Sequence, residues 1–313
     1  MAVHTDWRAL PDEVRGGVFA LGNFDGVHRG HAHLIHAGHA ARPDLALGVV
    51  TFEPHPRALF RPEDPPFRLT PSATRAALLQ AQGVRHVVEI RFDADFAELT
   101  AEQFVAEVLH QALGARHLAC GLDFAFGHRR GGDSDFLSAR AEALGIGLSL
   151  VPALVDASGP ISSSRVRRAL QDGYPERAAS LLGRPWAITG VVSHGDKRGR
   201  TIGFPTANIP LGTHIEPQRG VYAVTTTLAD GTMLNGVANL GRRPTVNEGP
   251  ESRLEAHFFD YDGDLYGQEL AVSLLGFIRP ERKFESFQAL RDQIVRDASA
   301  ARDLLDRRPP ASP

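Results

Sequence analysis

The sequence has little of several features that define large protein classes. Among 313 residues there is a single cysteine, Cys120, so no internal disulfide can form and a disulfide-stapled secreted domain is excluded. No run approaches the roughly 18 continuous apolar residues of a membrane-spanning helix. The net charge is only −3, which gives no general attraction to nucleic acid or to an anionic membrane. We therefore expect a cytoplasmic protein whose partners are small molecules, with no nucleic acid and no membrane.

The first half of the chain has the pattern of an α/β domain. Short apolar runs alternate with helical patterns, which predicts a parallel sheet covered by helices on both faces. Thr100 and Gln103 predict a capping box that begins a helix over residues 104–113. The predicted strands are residues 18–21, 45–52, 86–90, 118–120 and 148–151.

The pattern changes after a predicted helix over residues 175–182, because Gly183 and the following Arg-Pro pair end it. Beyond this point, strand-like runs joined by short turns predict a small antiparallel barrel, and residues 287–305 predict a helix that closes it or packs beside it. These runs are residues 187–193, 221–228, 233–238, 254–259 and 270–277. We expect domains over residues 1–183 and 184–308, followed by a disordered tail over residues 309–313.

A phosphate-binding turn is predicted where the strand over residues 18–21 ends. Residues 22–31, GNFDGVHRGH, lead from that strand into a helix, and such a turn aims backbone N–H groups at an anion. Gly22 and Phe24 lie in the turn itself. His28 and His31 stand at the junction with the helix, where their ring N–H groups suit the α-phosphate during nucleotidyl transfer.

Three more segments of the first half carry candidate binding residues. Residues 161–167, ISSSRVR, open a helix, and there Ser163 and Arg167 suit a pyrophosphate leaving group. The other two segments, TFEPHP and GLDFAFG, directly follow predicted strands, where ligands bind in this architecture. Phe52 and Pro54 can offer flat apolar contacts, and Asp123 can accept a hydrogen bond. Packing within the loops explains any one of these three residues equally well.

A glycine-rich basic loop opens the second half. Gly195 and Gly203 allow the backbone to approach a phosphate closely, and Lys197 supplies charge. Thr206 and Asn208 follow on an extended segment, and residues two apart on a strand point to one side. Their oxygens can therefore hold Mg²⁺ against the phosphates of a nucleotide.

Glu255 lies on a later predicted strand, where a carboxylate can take the proton from an attacking alcohol, although an exposed strand residue explains it as well. Taken together, the motifs resemble those of the prokaryotic bifunctional riboflavin kinase/FAD synthetase family over nearly the whole chain. They are GNFDGVHRGH, TFEPHP, GLDFAFG with RRGGD, and ISSSRVR in the first half, and GDKRGRTIGFPTAN, GVYAV, GVANLGRRPT, LEAHFFDYDGDLYG and RPERKF in the second.

The resemblance implies a Rossmann-like nucleotidyltransferase domain followed by a riboflavin kinase barrel with a C-terminal helix. The kinase domain would phosphorylate the ribityl 5′-hydroxyl of riboflavin from Mg-ATP, with Thr206 and Asn208 at the metal and Glu255 as base. The first domain would adenylate FMN to FAD and release pyrophosphate, with His28 and His31 on the ATP phosphates. ATP contacts are implied for Gly22, Phe24, His28, His31, Ser163, Arg167, Gly195, Lys197, Gly203, Thr206 and Asn208, and flavin contacts for Phe52, Pro54, Asp123 and Arg279.

Three positions depart from the family pattern, namely Ala125, Ser164 and Arg242, and they affect the expected flavin affinity more than the reaction. Two alternatives remain open at this point. In one, only the kinase is active and the first domain is idle or adenylates another phosphorylated precursor. In the other, the protein binds flavin as a sensor or store. The intact histidines argue against the first alternative, and the presence of metal ligands and a base argues against the second.

Overall fold

The computed structural model describes residues 2–193, 204–245 and 249–307, which form two compact units. The first unit comprises Met1–Asp64 and Ser72–Ser162, and the second comprises Pro65–Pro71 and Ser163–Pro313. The short segment 65–71 and the helices over residues 163–182 thus have most of their contacts in the second unit. The expected division at 183/184 concerns functional domains and stays a prediction.

The first unit is built on a six-stranded sheet in which every neighbouring pair of strands is parallel. A short antiparallel ladder of two strands follows this sheet along the chain. The elements of this unit are β1 (Ala2–His4), β2 (Val18–Leu21), α1 (Arg29–Ala41), β3 (Leu47–Glu53), α2 (Pro56–Phe60), α3 (Ser72–Gln80), β4 (His86–Arg91), α4 (Ala94–Ala97), α5 (Ala101–Gln103) continuing as a π-helical stretch (Phe104–Ala112), β5 (His117–Gly121), α6 (Ser134–Ala143), β6 (Gly147–Val151), β7 (Val155–Asp156) and β8 (Gly159–Pro160).

The strand order is β1-β4-β3-β2-β5-β6. From the central strand β2, the chain first builds outward through β3 and β4, and then crosses to the other side of β2 to add β5 and β6. The carboxyl ends of β2 and β5 therefore lie at the topological switch point, the place where open α/β sheets bind ligands. The turn predicted to bind phosphate follows β2 directly.

Alternating side chains of the sheet build two cores, one on each face. Val18 and Ala20 of β2 pack with Ile35 of α1 on one face. Phe19 and Leu21 point to the opposite face, where residues of the π-helical stretch and α6 cover them. The prediction of a parallel sheet covered on both faces is therefore confirmed. The predicted capping box is also present, because Thr100 and Gln103 each accept a backbone hydrogen bond from the other.

The second unit begins with two helices and continues as an antiparallel barrel. Its elements are α7 (Ser163–Gln171), α8 (Pro175–Leu182), β9 (Trp186–Val191), β10 (Ala207–Pro210), β11 (Gly220–Thr227), β12 (Met233–Thr245), β13 (Gly249–Phe258), β14 (Glu269–Pro280) and α9 (Phe287–Asp306). Helix α8 ends at Gly183, whose φ of 80° is the left-handed conformation that glycine adopts without a Cβ clash.

The barrel strands have the order β10-β13-β12-β11-β14-β9. An isolated bridge nearly closes the ring, because the amide N–H of Ser193 donates to the carbonyl oxygen of Asn208 at 2.9 Å. Helix α9 packs through Ala301 on the outer face of the barrel, against Val221 and Ala223 of β11. The predicted antiparallel barrel with a C-terminal helix is confirmed. Among the described residues, no helix is both long and apolar enough to cross a membrane.

Candidate active sites

The turn after β2 has an unusual backbone. Phe24, Gly26 and Val27 have φ values of 50°, 88° and 41°. Glycine adopts positive φ at no steric cost, but a β-branched valine there is a true outlier, and such strain persists only where the surrounding structure enforces it. Phe24 and Val27 are both buried, so packing of the two side chains holds the turn in this shape.

His28 and His31 cap the helix that the turn leads into. Helix α1 begins at Arg29 with His28 as its N-cap. The Nδ1 atom of His28 accepts from the amide of His31 at 3.2 Å, and the Nδ1 atom of His31 accepts from the amide of His28 at 3.3 Å. The rings stack with their centroids 3.6 Å apart. Since each Nδ1 is an acceptor, the proton of each neutral ring lies on Nε2, which is then the donor.

The start of the ISSSRVR motif lies beside this helix N-terminus. A Cβ atom on Gly30 would stand 3.1 Å from both the His28 ring and the carbonyl oxygen of Ile161. Ser163 is the first residue of α7 and belongs to the second unit. There the Nε of Arg167 donates to the carbonyl oxygen of Phe67 at 2.8 Å, and its guanidinium lies over the Phe67 ring.

The three flavin candidates of the first unit lie at the ends of β3 and β5. Phe52 is half-buried, with its ring edge-on to Phe92 at 5.7 Å between centroids, whereas Pro54 is exposed. Asp123 is exposed two residues after β5. Burial, and secondly the charge of Asp123, raise the pKa of the Cys120 thiol to about 12, so this cysteine is an inert core residue.

In the barrel, strand register brings Asn208 and Glu255 together. The two residues are directly opposed in the antiparallel pair of β10 and β13, and Glu255 is opposed on its other side by Asn239 of β12. Opposed residues of an antiparallel pair project to the same face with Cβ atoms about 5 Å apart. Amide, carboxylate and amide side chains thus form one row across three neighbouring strands.

The amide oxygen of Asn208 is a candidate ligand atom. Asn208 is 4% exposed, and its Oδ1 has no hydrogen-bond partner among the described residues. Its Nδ2 group donates to the carbonyl oxygen of Thr206 at 3.3 Å, and Thr206 is half-buried immediately before β10. A buried amide oxygen without a donor suits a hard cation such as Mg²⁺. Within the described ranges, no group of three or more His, Cys, Asp or Glu side chains could hold a metal ion.

His257, for which the sequence pattern predicted no role, supports this site. Its ring Nδ1 lies 2.8 Å from the carbonyl oxygen of Pro205, and its ring meets Phe204 edge-on. His257 is two residues beyond Glu255 on β13 and therefore projects to the same face. That spacing of two is visible in the sequence and could have identified it as a residue that fixes the segment before Thr206.

Arg279 makes a different set of contacts from the one expected of a flavin ligand. Its Nε and Nη2 atoms form a forked ion pair with Asp297 of α9, at 2.7 to 3.1 Å, and its Nη1 donates to the carbonyl oxygen of Pro280. Gln293 donates to the same carboxylate at 2.7 Å. These contacts attach α9 to β14. The remaining ATP candidates, Gly195, Lys197 and Gly203, lie outside the described residues.

The first unit has a parallel sheet with a histidine-capped helix at its switch point, and the second has a barrel with an amide–carboxylate row. Together these features define a two-domain transferase that uses nucleotides. The comparisons with known proteins agree with this class. Residues 10–165 match the FAD synthetase family, and residues 182–305 match the riboflavin kinase family.

Relatives of known name match over more than nine-tenths of the chain. The bifunctional riboflavin kinase/FMN adenylyltransferase of Escherichia coli strain K12 is 42% identical over 95% of each chain, and that of Bacillus subtilis strain 168 is 38% identical over 93% of each. A solved structure described as a macrolide-efflux protein from Streptococcus pneumoniae has a TM-score of 0.86 at 33% identity, covering 96% of this chain and 98% of the other. The chain belongs to the bifunctional riboflavin kinase/FMN adenylyltransferase family, with the FAD synthetase domain first and the riboflavin kinase domain second.

Proposed function

We propose that Thr206, Asn208 and Glu255 carry out the riboflavin kinase reaction in the second domain, and that His28 and His31 carry out transfer of the adenylyl group to FMN in the first. The observation that carries the kinase proposal is the register of β10 and β13, which opposes Asn208 and Glu255. A metal ligand and a carboxylate base on neighbouring strands are the two side-chain functions that phosphoryl transfer to an alcohol requires.

Glu255 accepts the proton of the ribityl 5′-hydroxyl as that oxygen attacks the γ-phosphate of ATP. The bond from the new nucleophile to phosphorus forms while the bond to ADP breaks, so FMN and ADP leave the site. Asn239 stands beside Glu255 on β12 and can hydrogen-bond to its carboxylate and orient it. Gly195, Lys197 and Gly203 are proposed to hold the ATP phosphates on the grounds of their residue types alone.

Asn208 and Thr206 would hold Mg²⁺ in this domain. The unpartnered amide oxygen of Asn208 and the hydroxyl of Thr206 are the donor types that Mg²⁺ accepts, because it takes few protein oxygens and fills its shell with water and substrate phosphates. When bound, the ion supplies charge that neutralises the phosphate oxygens during transfer. The contact of His257 with the carbonyl oxygen of Pro205 keeps the backbone before Thr206 in place.

In the first domain, the N-terminus of α1 and the two Nε2–H groups of His28 and His31 bind the ATP phosphates. The 5′-phosphate of FMN attacks the α-phosphorus, the bond to pyrophosphate breaks, and FAD forms. Fixed donors are effective here because the negative charge develops on the phosphate oxygens in the transition state. Gly22 and Phe24 shape the turn, and Ser163 and Arg167 are proposed as contacts for the triphosphate.

Flavin binding is proposed for four residues. In the first domain, Phe52 and Pro54 offer apolar surface at the end of β3, and Asp123 offers an acceptor at the end of β5. In the second domain, Arg279 is the candidate, although its forked pairing with Asp297 favours a role in attaching α9. We also propose that the protein works in the cytoplasm, where its one cysteine remains a buried thiol.

The substitution Glu255→Gln tests the kinase proposal, because it removes the base and keeps the shape of the side chain. Purified protein is incubated with riboflavin, ATP and Mg²⁺, and the flavins are separated by chromatography over time. We expect FMN formation to fall by at least about 100-fold, while FAD formation from added FMN stays within about twofold. Glu269→Gln, at an exposed position at the start of β14, is the matched control and should leave both reactions unchanged. Normal FMN formation by Glu255→Gln would remove Glu255 from the mechanism.

A further inference from the structure

One arginine of the first unit is completely buried and lies outside the sites described above. The side chain of Arg75, on α3, is 1% exposed. Its Nη2 atom pairs with Glu89 at 2.6 Å and with Glu53 at 2.9 Å. Glu89 also accepts a hydrogen bond from the hydroxyl of Ser72. Because removing a guanidinium from water costs several kcal/mol, such a group persists only with partners of this kind.

The other terminal nitrogen of Arg75 faces the backbone of two substrate loops. Its Nη1 atom donates to the carbonyl oxygens of Asn23 and Phe52, each at 3.3 Å. The hydroxyl of Thr51 donates to the same Asn23 oxygen at 3.1 Å. Asn23 belongs to the turn after β2, and Phe52 lies near the end of β3. One planar side chain therefore bridges the proposed phosphate turn and the proposed flavin loop.

The Asn23 carbonyl stands at the entry to the strained backbone. The next residue, Phe24, has a φ of 50°, and Val27 has a φ of 41°. A strained turn relaxes unless contacts on both sides of it enforce its shape. His28 enforces the exit from the turn as the N-cap of α1, and two donors, from Arg75 and Thr51, hold the entry.

We propose that Arg75 is a positioning residue for the adenylylation of FMN, which fixes the turn before His28 and the end of β3 at a constant spacing. The inference rests on the proposed binding of ATP phosphates at His28 and His31 and of flavin at Phe52. The alignment of the two reactants contributes more to the rate of the chemical step than the binding of either one does, because a displacement of about 1 Å can lower a rate by about 100-fold. Substitution of Arg75 should therefore lower kcat much more than it raises either KM.

The experiment measures kcat and the KM values for ATP and FMN in FAD formation, with riboflavin phosphorylation measured on the same preparations. Four single variants are compared: Arg75→Met, Arg75→Lys, Thr51→Val and Ser72→Ala. For Arg75→Met we expect kcat to fall by about 100-fold, with both KM values within about threefold. Arg75→Lys should recover part of the rate, since an ammonium reaches some of the same acceptors but lacks the fork. Thr51→Val, which removes the second donor to Asn23, should lower kcat by about tenfold.

Ser72→Ala is the matched control, because it removes a contact of the same cluster that does not touch either loop. It should leave kcat within about twofold, with riboflavin phosphorylation unchanged in all four variants. The proposal is overturned if a folded Arg75→Met protein keeps the wild-type kcat, or if Ser72→Ala loses as much rate as Arg75→Met. If Arg75→Met does not fold, wild-type kcat in both Arg75→Lys and Thr51→Val overturns it.

A His28→Asn variant separates this inference from the proposed function. If His28→Asn keeps full adenylylation while Arg75→Met loses it, the role of His28 is wrong and the positioning role of Arg75 stands. If His28→Asn loses the activity and the Arg75 variants keep it, the positioning role is wrong and the role of His28 stands.

Discussion

Removal of the Asp297 carboxylate should destabilise the barrel domain, because it breaks the ion pair between Asp297 and Arg279. Asp297 is 5% exposed and Arg279 is 18% exposed at the side chain, so little solvent screens the pair. In Asp297→Ala, the guanidinium keeps its charge and its half-buried place but loses three hydrogen bonds, and Gln293 loses its acceptor. Breaking a buried pair in this way costs about 3 kcal/mol.

In the full-length protein, tryptophan fluorescence can report the expected loss of stability of the second unit separately from the first. The protein has two tryptophans, of which Trp7 belongs to the first unit and Trp186 is buried in the second. In a Trp7→Phe background, fluorescence of Trp186 reports urea unfolding of the barrel unit. With a slope of about 2 kcal/mol per molar urea, a loss of about 3 kcal/mol lowers the midpoint by about 1.5 M.

Two further variants test whether the loss of stability comes from the ion pair between Arg279 and Asp297. Asp292→Ala removes an exposed carboxylate of the same helix, which accepts only from Gln288 among the described residues, and should change stability by at most about 0.5 kcal/mol. The double variant Arg279→Met with Asp297→Ala should lose about 2 kcal/mol less than the sum of the single losses. An Asp297→Ala midpoint no lower than that of Asp292→Ala would refute the reasoning. A raised riboflavin KM in Arg279→Met without a stability loss would instead assign Arg279 to the flavin.

Three other expectations concern groups elsewhere in the protein. In His28→Asn, the amide oxygen replaces Nδ1 as the acceptor that caps α1, but the ring donor is lost, so FAD formation should fall by about 100-fold with riboflavin phosphorylation intact; a loss under threefold would contradict this. Burial raises the pKa of Glu216, but hydrogen bonds from Arg219, Arg242 and Ser252 outweigh it and hold that pKa below its usual value. Glu216→Gln should therefore cost about 1 kcal/mol at pH 7 in urea unfolding, after allowing for solvent at Arg242. The difference from wild type should decline as the pH falls below the ordinary glutamate pKa of about 4.3 and vanish once the pH is below the lowered pKa of the folded protein, because protonation then removes the same interaction; a difference that stays constant with pH would be inconsistent with this. Cys120, with its pKa raised to about 12, should resist iodoacetamide at pH 8 until the protein is unfolded, and rapid labelling of the native protein would show otherwise.

Local patterns predicted most of the regular structure because they act over a few residues. The apolar run at residues 18–21 is strand β2 with the same bounds, and the capping box at Thr100 was visible as a spacing of three. The role of His28 as the N-cap of α1 was not predicted, since histidine is not among the usual N-cap residues and only its mutual bonding with His31 makes it one. The short edge strand β1 was missed, because three residues give no periodicity.

The candidate sites were predictable in residue type but not in arrangement. The pairing of Asn208 with Glu255 depends on the register of strands that are far apart in sequence, and the period of two within each strand does not determine it. Arg75 was missed for a similar reason. It lies four residues before the buried Leu79, which places it on the inward face of α3, but its partners come from three other parts of the chain.

Each of the two units is made of two separate segments of the chain, which affects where the protein can be cut into fragments. Residues 65–71 leave the first unit, enter the second and return, so the chain passes between the units three times. In the second unit, the indole N–H of buried Trp186 donates to the carbonyl oxygen of Leu69 at 2.8 Å. A kinase fragment that starts at residue 184 would therefore keep Trp186 and lose its acceptor. No single cut of the chain therefore separates the two compact units completely.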